Sequence, residues 1–462
     1  MKRFSAFASA AAVAIVLYGA PALAQEVAPP PAAAPAVAPA VAPAPAESAA
    51  DMAQFLKPYD AASAACRAVL ERAAILSSQG KWKSAFQAMD DFDKGNLDPF
   101  ALAMKISLVL RGAIRTDMDR SFALADLEEG QDLETLRNSE GDYAPFAFDP
   151  PALADMQAAK SISAPGILSK ELGDYYYDVI GRFSGHWSIG DDEILKKAVE
   201  QYAKAYGAGV FDRVSLVNQA ESLVRLDRGD ESDPLFNEAI ALDPKNAKIH
   251  YSYALSLRYR GKRTEAIVEV DKAIVDYDED SSRIDAIALG ARTAAELGDG
   301  AKTEAYYALT DKYYPGSPTS GILRHMIAVQ MGDKAAAAAA ADGLVPRYGS
   351  NPNVVRSLVS TWFAAGDHAE ARDFLDRNIA KSTDDMTIGT LDFYLAVLLS
   401  QEGASDEDKA GALKALDAAE AHFKVALSPD NEVFGVIADI RNSLRPPAPA
   451  AGATAPTGSA AK

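Results

Sequence analysis

The sequence has little of the chemistry that enzymes and metal sites usually require. One cysteine, Cys66, among 462 residues excludes an internal disulfide framework and any site built from several thiolates. The five histidines lie far apart and form no H-E-x-x-H or similar ligand spacing. Neither a G-x-S-x-G nucleophile motif nor a G-x-x-x-x-G-K phosphate loop is present. We therefore expect a protein that is not an enzyme and that binds no metal or cofactor.

Positive charge is also scarce. The 46 lysines and arginines face 65 acidic residues, so the formal net charge is −19 and the pI is about 4.8. Such a surface repels the phosphate backbone, and we expect no nucleic acid partner. Beyond the first 24 residues the apolar runs are too short to cross a bilayer, so we expect no transmembrane span in the mature chain. The sequence does not indicate an oligomeric state.

Residues 1–24 have the features of a secretory signal peptide. Lys2 and Arg3 precede an apolar run over residues 4–17, and Ala22-Leu23-Ala24 forms a small-residue cleavage site. We expect cleavage before Gln25 and secretion across the inner membrane, with the periplasm as the destination. Retention of this segment as an uncleaved anchor is the alternative.

Two segments are rich in proline and alanine. Residues 25–54 predict an extended linker, because Pro, Ala and Val alone cannot build a core. This linker is either a spacer or an inert leader. Residues 446–462 predict a disordered tail of similar composition.

The central feature of the chain is a 34-residue period. Small residues recur at two positions of this period, and a large apolar residue lies between them. They are Ala198, Ser232 and Ala266, then Ala205, Ala239 and Ala273, with Tyr202, Phe236 and Val270 between. Further along, Gly298, Gly332 and Gly366 are again 34 residues apart.

This pattern resembles the tetratricopeptide repeat (TPR) family, whose unit is a pair of antiparallel helices. Leu172, Gly173 and Tyr176 match the L-G-x2-Y part of the family pattern. Ala254 fits the small position of a first helix, Pro244 closes a unit, and Gly261, Gly298, Gly332 and Gly366 fit the turn between the two helices. The resemblance implies an all-α fold, a TPR-type α-solenoid of stacked helix pairs.

The period also predicts the boundaries of the folded regions. Residues 55–130 read as N-terminal helical hairpins with a degenerate repeat, and residues 131–165 as an irregular insert punctuated by proline and glycine. The repeat array spans 166–431, and residues 432–445 form a capping helix. The unit that starts near residue 167 carries about a dozen extra residues between its two helices.

In the resembled family the first helix of each pair lines a concave groove. Projecting the period onto that face predicts a partner-binding surface composed of Tyr177, Tyr251, Arg258, Arg292, Arg356 and Phe363. The same projection places Val224, Ala288, Ile322 and Val329 in the groove. The three arginines would clamp carboxylates of a peptide, unless they pair with acidic residues of neighbouring helices.

The extra residues of the first array unit contribute His186 and Trp187 as further binding candidates. The alternative is that Trp187 fills a gap between helices. The leading functional hypothesis is an exported, non-enzymatic TPR scaffold that binds a protein or peptide partner, for example in envelope assembly. One alternative is a small-ligand-binding accessory protein of an envelope transporter, and another is a wall-tethered spacer.

Overall fold

The structure, a computed structural model, describes residues 49–139, 141, 143–401 and 404–444. The predicted signal peptide, most of the predicted linker and the predicted tail lie outside these residues. The chain divides into two compact units. The N-terminal unit is described over residues 49–277 and the C-terminal unit over residues 278–444.

The N-terminal unit consists mainly of helix pairs joined by short turns. Its first helices are α1 (Ala49–Leu56), α2 (Ala64–Ser78), α3 (Trp82–Phe92) and α4 (Pro99–Gly112), with a 3-10 turn at Lys57–Tyr59. Two shorter helices follow, α5 (Leu133–Asn138) and α6 (Pro150–Ala159). Three pairs then follow, α7 (Gly166–Phe183) with α8 (Asp191–Gly207), α9 (Arg213–Arg225) with α10 (Gly229–Leu242), and α11 (Ala247–Tyr259) with α12 (Arg263–Asp276).

A small antiparallel sheet interrupts the helices between α4 and α6. Its strands are β1 (Arg115–Asp117), β2 (Ser121–Ala123) and β3 (Phe146–Ala147), in that order. Phe86 of α3 packs on the sheet, 4.6 Å from the ring of Phe146. The sequence predicted helices and loops here, because strands of two or three residues are too short to show alternation.

Small residues lie where the two helices of a pair come closest. The side chains of Ala198, Ser232 and Ala266 are fully buried, as are those of Ala239 and Ala273. At Gly173 of α7, an added Cβ would lie 2.6 Å from the ring of Tyr202 on α8. Only glycine therefore allows these two helices to approach as they do.

The C-terminal unit repeats the same pairing without a sheet in its described part. Its pairs are α13 (Asp280–Glu296) with α14 (Gly300–Tyr313), α15 (Thr319–Met331) with α16 (Lys334–Tyr348), α17 (Pro352–Ala365) with α18 (His368–Lys381), and α19 (Asp385–Leu399) with α20 (Asp406–Ala426). A single helix, α21 (Val433–Leu444), follows. The all-α class and the stacked antiparallel pairs predicted from the sequence are confirmed.

The turns between paired helices use glycine as the period predicts. Gly298, Gly332 and Gly366 have φ angles of +72°, +73° and +79°, a conformation that ends the first helix of each pair. The next residue caps the second helix in two cases, because Asp299 and Asp333 accept a bond from the backbone N–H three residues on. Asp367 makes no such bond.

The core of the C-terminal unit is centred on Trp362, whose side chain is 1% exposed. Its ring lies 4.2 Å from the imidazole of His325 and 5.3 Å from the ring of Phe374. Burial lowers the pKa of His325, although both ring nitrogens lie 3.1 Å from backbone carbonyl oxygens. The two adjacent first helices and α16 are thus joined through one aromatic cluster.

The period changes at the boundary between the units. Gly261 and Gly298 are 37 residues apart, three more than the spacing that follows. The division of the chain falls between Tyr277 and Asp278, inside this longer interval. Within the described ranges, none of the helices has the length and apolar composition needed to span a bilayer.

Candidate functional site

On the N-terminal unit, the predicted binding residue Tyr177 is held by the neighbouring first helix. Its hydroxyl donates to the carboxylate of Glu221 on α9, and the guanidinium of Arg225 lies 5.9 Å from its ring centroid. Burial and the charge of Glu221 raise the pKa of Tyr177. The hydroxyl is therefore occupied by an intramolecular bond.

Next to Tyr177, a buried polar network joins α7, α8 and α9. Lys170 Nζ lies 2.7 Å from Asp174 Oδ2 and 3.5 Å from Asp212 Oδ2. The other oxygen of Asp174 accepts a 2.7 Å bond from the hydroxyl of Tyr202, to which Asn218 in turn donates. The donors and acceptors of this surface are thus satisfied by one another.

The charges of this network balance only in part. Burial alone would lower the pKa of Lys170, but the carboxylates of Glu171, Asp174 and Asp212 raise it. Burial raises the pKa of Glu171 to about 7, against the attraction of Lys170. Lys170 is therefore held charged beneath the surface, where its ammonium group belongs to the fold.

Tyr251 and Arg258 both lie on α11 and are half-buried. The ring of Tyr251 meets that of Tyr277 edge-on at 6.3 Å, and Arg258 is engaged in an interaction of its own. Of the other two predicted arginines, Arg292 lies on α13 and Arg356 on α17, both in the C-terminal unit and both half-buried. The clamp formed by all three arginines remains a prediction.

The candidates His186 and Trp187 have different surroundings. The side chain of His186 is exposed. Trp187 donates from Nε1 to the carbonyl of Met118 at 2.8 Å, and its ring lies between Tyr175 and the guanidinium of Arg120. Trp187 thus packs the α7–α8 connection against the β1–β2 turn, as the gap-filling alternative describes. About half of the predicted insertion is helical, because α7 continues to Phe183.

Four positions projected into the groove belong to the core instead. Val224, Ala288, Ile322 and Val329 are at most 9% exposed. The projection is wrong for them because a first helix also packs its flank on the next pair, which covers apolar residues at the margin of the predicted face.

On the C-terminal unit, an apolar depression of about 380 Å³ opens between α17 and α19. We call it the α17–α19 groove. It is lined by Val359, Ser360, Phe363 and Ala364 of α17, and by Val397, Leu398 and Gln401 at the end of α19. Phe363 and Leu398 are half-buried and Ala364 is exposed. His368 supports the Phe363 ring edge-on at 4.6 Å.

Arg356 extends this surface along α17, since Arg356, Ser360 and Phe363 follow one another at helical spacing. Burial raises the pKa of Tyr394 to about 12, and the charge of Arg356 opposes this rise. Because Tyr394 is on α19, this coupling places Arg356 beside the same helix as the groove. The structure therefore brings the predicted residues Arg356 and Phe363 to one surface.

Comparison with known proteins gives fold-level similarity only. No family model and no curated protein matches the sequence. A tetratricopeptide repeat protein from Parabacteroides merdae is 14% identical, with a TM-score of 0.32 over 59% of this chain and 98% of its own. Yeast Tom70 is 16% identical, with a TM-score of 0.35 over 85% and 83% of the two chains.

A third similar structure is YrrB, described as a TPR protein with an unusual peptide-binding site. It is 16% identical, with a TM-score of 0.26 over 41% of this chain and 96% of its own. At these TM-scores the assignment rests on the chain's own helix pairs, their period and their buried small residues. This chain has the TPR fold.

In the TPR register, the groove residues of α19 were missed although the period reaches them. Val397 and Leu398 lie 34 residues after Phe363 and Ala364, and Tyr394 lies 34 after Ser360. Extending the projection by one more pair would have found them. Across the described residues, no three His, Cys, Asp or Glu side chains are grouped as metal ligands would be.

Proposed function

We propose that this chain is an exported TPR scaffold that binds a segment of a protein partner in the α17–α19 groove. The observation that carries the proposal is the groove itself, an open apolar depression containing Phe363 and Leu398. Apolar side chains left accessible in a concave site gain free energy when a partner covers them.

The groove favours a partner segment of particular chemistry. Its lining is apolar except for Ser360 and Gln401, so it suits aliphatic or proline side chains. Arg356 lies on the same face of α17 and favours a carboxylate one or two residues along the bound segment. We therefore expect a peptide that combines an apolar anchor with an acidic residue.

Export is proposed from the sequence of residues 1–24. The charged start, the apolar run and the A-x-A site support cleavage before Gln25. Mass spectrometry of the protein recovered from a periplasmic fraction tests this step, and the expected first residue is Gln25. A mature protein that still carries Met1 would contradict cleavage.

Partner binding is tested by capture from envelope extract with three full-length variants. Leu398→Arg places a charge in the groove, Arg356→Glu reverses the neighbouring charge, and Val425→Arg alters a valine that is 72% exposed on α20. We expect a partner captured by the native chain and by Val425→Arg, and lost with the other two. Equal capture by all four chains, shown by circular dichroism to be equally folded, would contradict the groove as the binding surface.

A further inference from the structure

The segment that follows α21 has the same chemistry as the α17–α19 groove. Residues 446–461 contain only Pro, Ala, Gly, Thr and Ser, without a charged side chain. This stretch is neutral in a chain whose net charge is −19. Proline-rich segments bind apolar grooves that contain aromatic rings, because they lose little conformational entropy on binding.

The course of the last helices brings this segment near the groove. The pair α19 and α20 is antiparallel, since Gly389 lies beside Phe423 and Leu399 beside Gly411. Helix α21 starts shortly after α20 ends, and Arg441 binds Glu420 and Asp417 at 2.6 and 2.9 Å. Helix α21 therefore runs back along α20, and Leu444 ends it one turn beyond Arg441.

Leu444 thus lies toward the start of α20, on the side where α19 ends. It packs on the cluster that contains Ala396 of α19 and Ala415 of α20. The turn of α19 that contains Ala396 also contributes Val397 and Leu398 to the groove. The chain therefore leaves α21 at the level of the groove.

The length of the segment is sufficient to reach it. Packed helices are about 8–10 Å apart, and an extended proline-rich chain advances about 3 Å per residue. About five residues therefore cross α19, which leaves more than half of residues 446–461 to contact the groove.

We propose that residues 446–461 bind in the α17–α19 groove of their own chain and cover it until a partner displaces them. This inference rests on the proposed function, since it requires the groove to accept a peptide. Tethering gives the segment a local concentration of about a millimolar, so even weak contacts with Phe363 and Leu398 keep the groove occupied. A partner must then bind more tightly than the tethered segment.

The test uses a fluorescein-labelled peptide of residues 446–461 and measures its binding by anisotropy. It compares the native full-length chain with a full-length variant carrying lysine in place of Pro446, Pro447, Pro449 and Pro456. We expect binding to the lysine variant to be at least tenfold tighter, because charged side chains leave the apolar groove open. Adding Ala364→Arg to the lysine variant should weaken peptide binding at least tenfold, whereas adding Val425→Arg should not change it.

Three results would overturn the proposal. Equal binding to both full-length chains would show that the tethered segment does not occupy the groove. Absence of binding to the lysine variant would show that this sequence does not fit the groove. Tighter binding of a peptide of residues 27–45 would assign the groove to the other Pro/Ala-rich segment. In each case, partner capture lost with Leu398→Arg would leave the proposed function standing.

Discussion

The first helices of the two units present opposite surfaces. In the N-terminal unit, Lys170 and Tyr177 are bound to carboxylates of α7 and α9, so their polar groups are satisfied within the fold. In the C-terminal unit, Phe363 and Leu398 border a depression that the unit itself leaves open. The comparison shows that the repeat determines how helices pair, while the residues at groove positions determine whether the resulting surface can accept a partner.

The largest expected effect separates two adjacent residues of α17. Trp362 is 1% exposed in the core, and replacing it with alanine should lower the free energy of unfolding by about 3–5 kcal/mol. Phe363 is half-buried at the groove, and Phe363→Ala should cost about 1 kcal/mol while abolishing partner capture. Urea unfolding measures both. Comparable losses of stability would mean that Phe363 belongs to the core.

An intermediate effect tests whether the polar surface of the N-terminal unit is structural. Asp174→Ala removes the acceptor of Tyr202 and a partner of Lys170, so it should destabilise the chain by about 2–3 kcal/mol. Ser360→Ala is the matched change in the C-terminal unit, where the hydroxyl bonds only to the carbonyl of Ser357. Ser360→Ala should change stability by less than about 0.5 kcal/mol. A neutral Asp174→Ala would show that the network contributes little to stability.

A smaller effect is expected to be shared by the two units. Burial raises the pKa of Asp119, at the β1–β2 turn, and of Asp392, on α19, to about 6 in each case. A carboxyl group whose pKa is raised on folding stabilises the folded state while protonated, and this contribution is lost as pH rises through 6. Asp119→Asn and Asp392→Asn should therefore each stabilise the chain by about 1–2 kcal/mol at pH 7 and by little at pH 4.

Thermal unfolding at the two pH values measures this effect. The expected pattern is a gain in the midpoint temperature at pH 7 that disappears at pH 4 for both variants. A gain confined to one unit would extend the difference between the units to their buried charges. A loss at pH 7 would show that the ionised carboxylate is stabilised in the fold.

The sequence predicted the helix pairs well because their determinants are local and periodic. Small residues such as Ala266 and turn glycines such as Gly332 recur in register, and each has one geometric reason. The α17–α19 groove was predicted in part, through Arg356 and Phe363. Its other side was missed only because the projection stopped one pair early.

Other features could not be predicted from the period. The sheet depends on pairing of Phe122 with Phe146 across 24 residues, without alternation to indicate it. The bond from Tyr177 to Glu221 depends on the relative heights of α7 and α9, which the sequence does not encode in a recognisable pattern. The role of Trp187 depends on Met118, 69 residues away.

The most direct test of the central claim is site-specific photo-crosslinking at two corresponding positions. Ala364 on α17 and Tyr259 on α11 each lie two residues before a turn glycine, and both are exposed. A photoreactive phenylalanine analogue is placed at either position in the full-length chain, and the adducts formed in envelope extract are identified by mass spectrometry. The account predicts adducts at position 364, with a partner or with residues 446–461, that are lost with Leu398→Arg, and few at position 259. Equal adducts at both positions, or adducts at 364 that persist with Leu398→Arg, would contradict it.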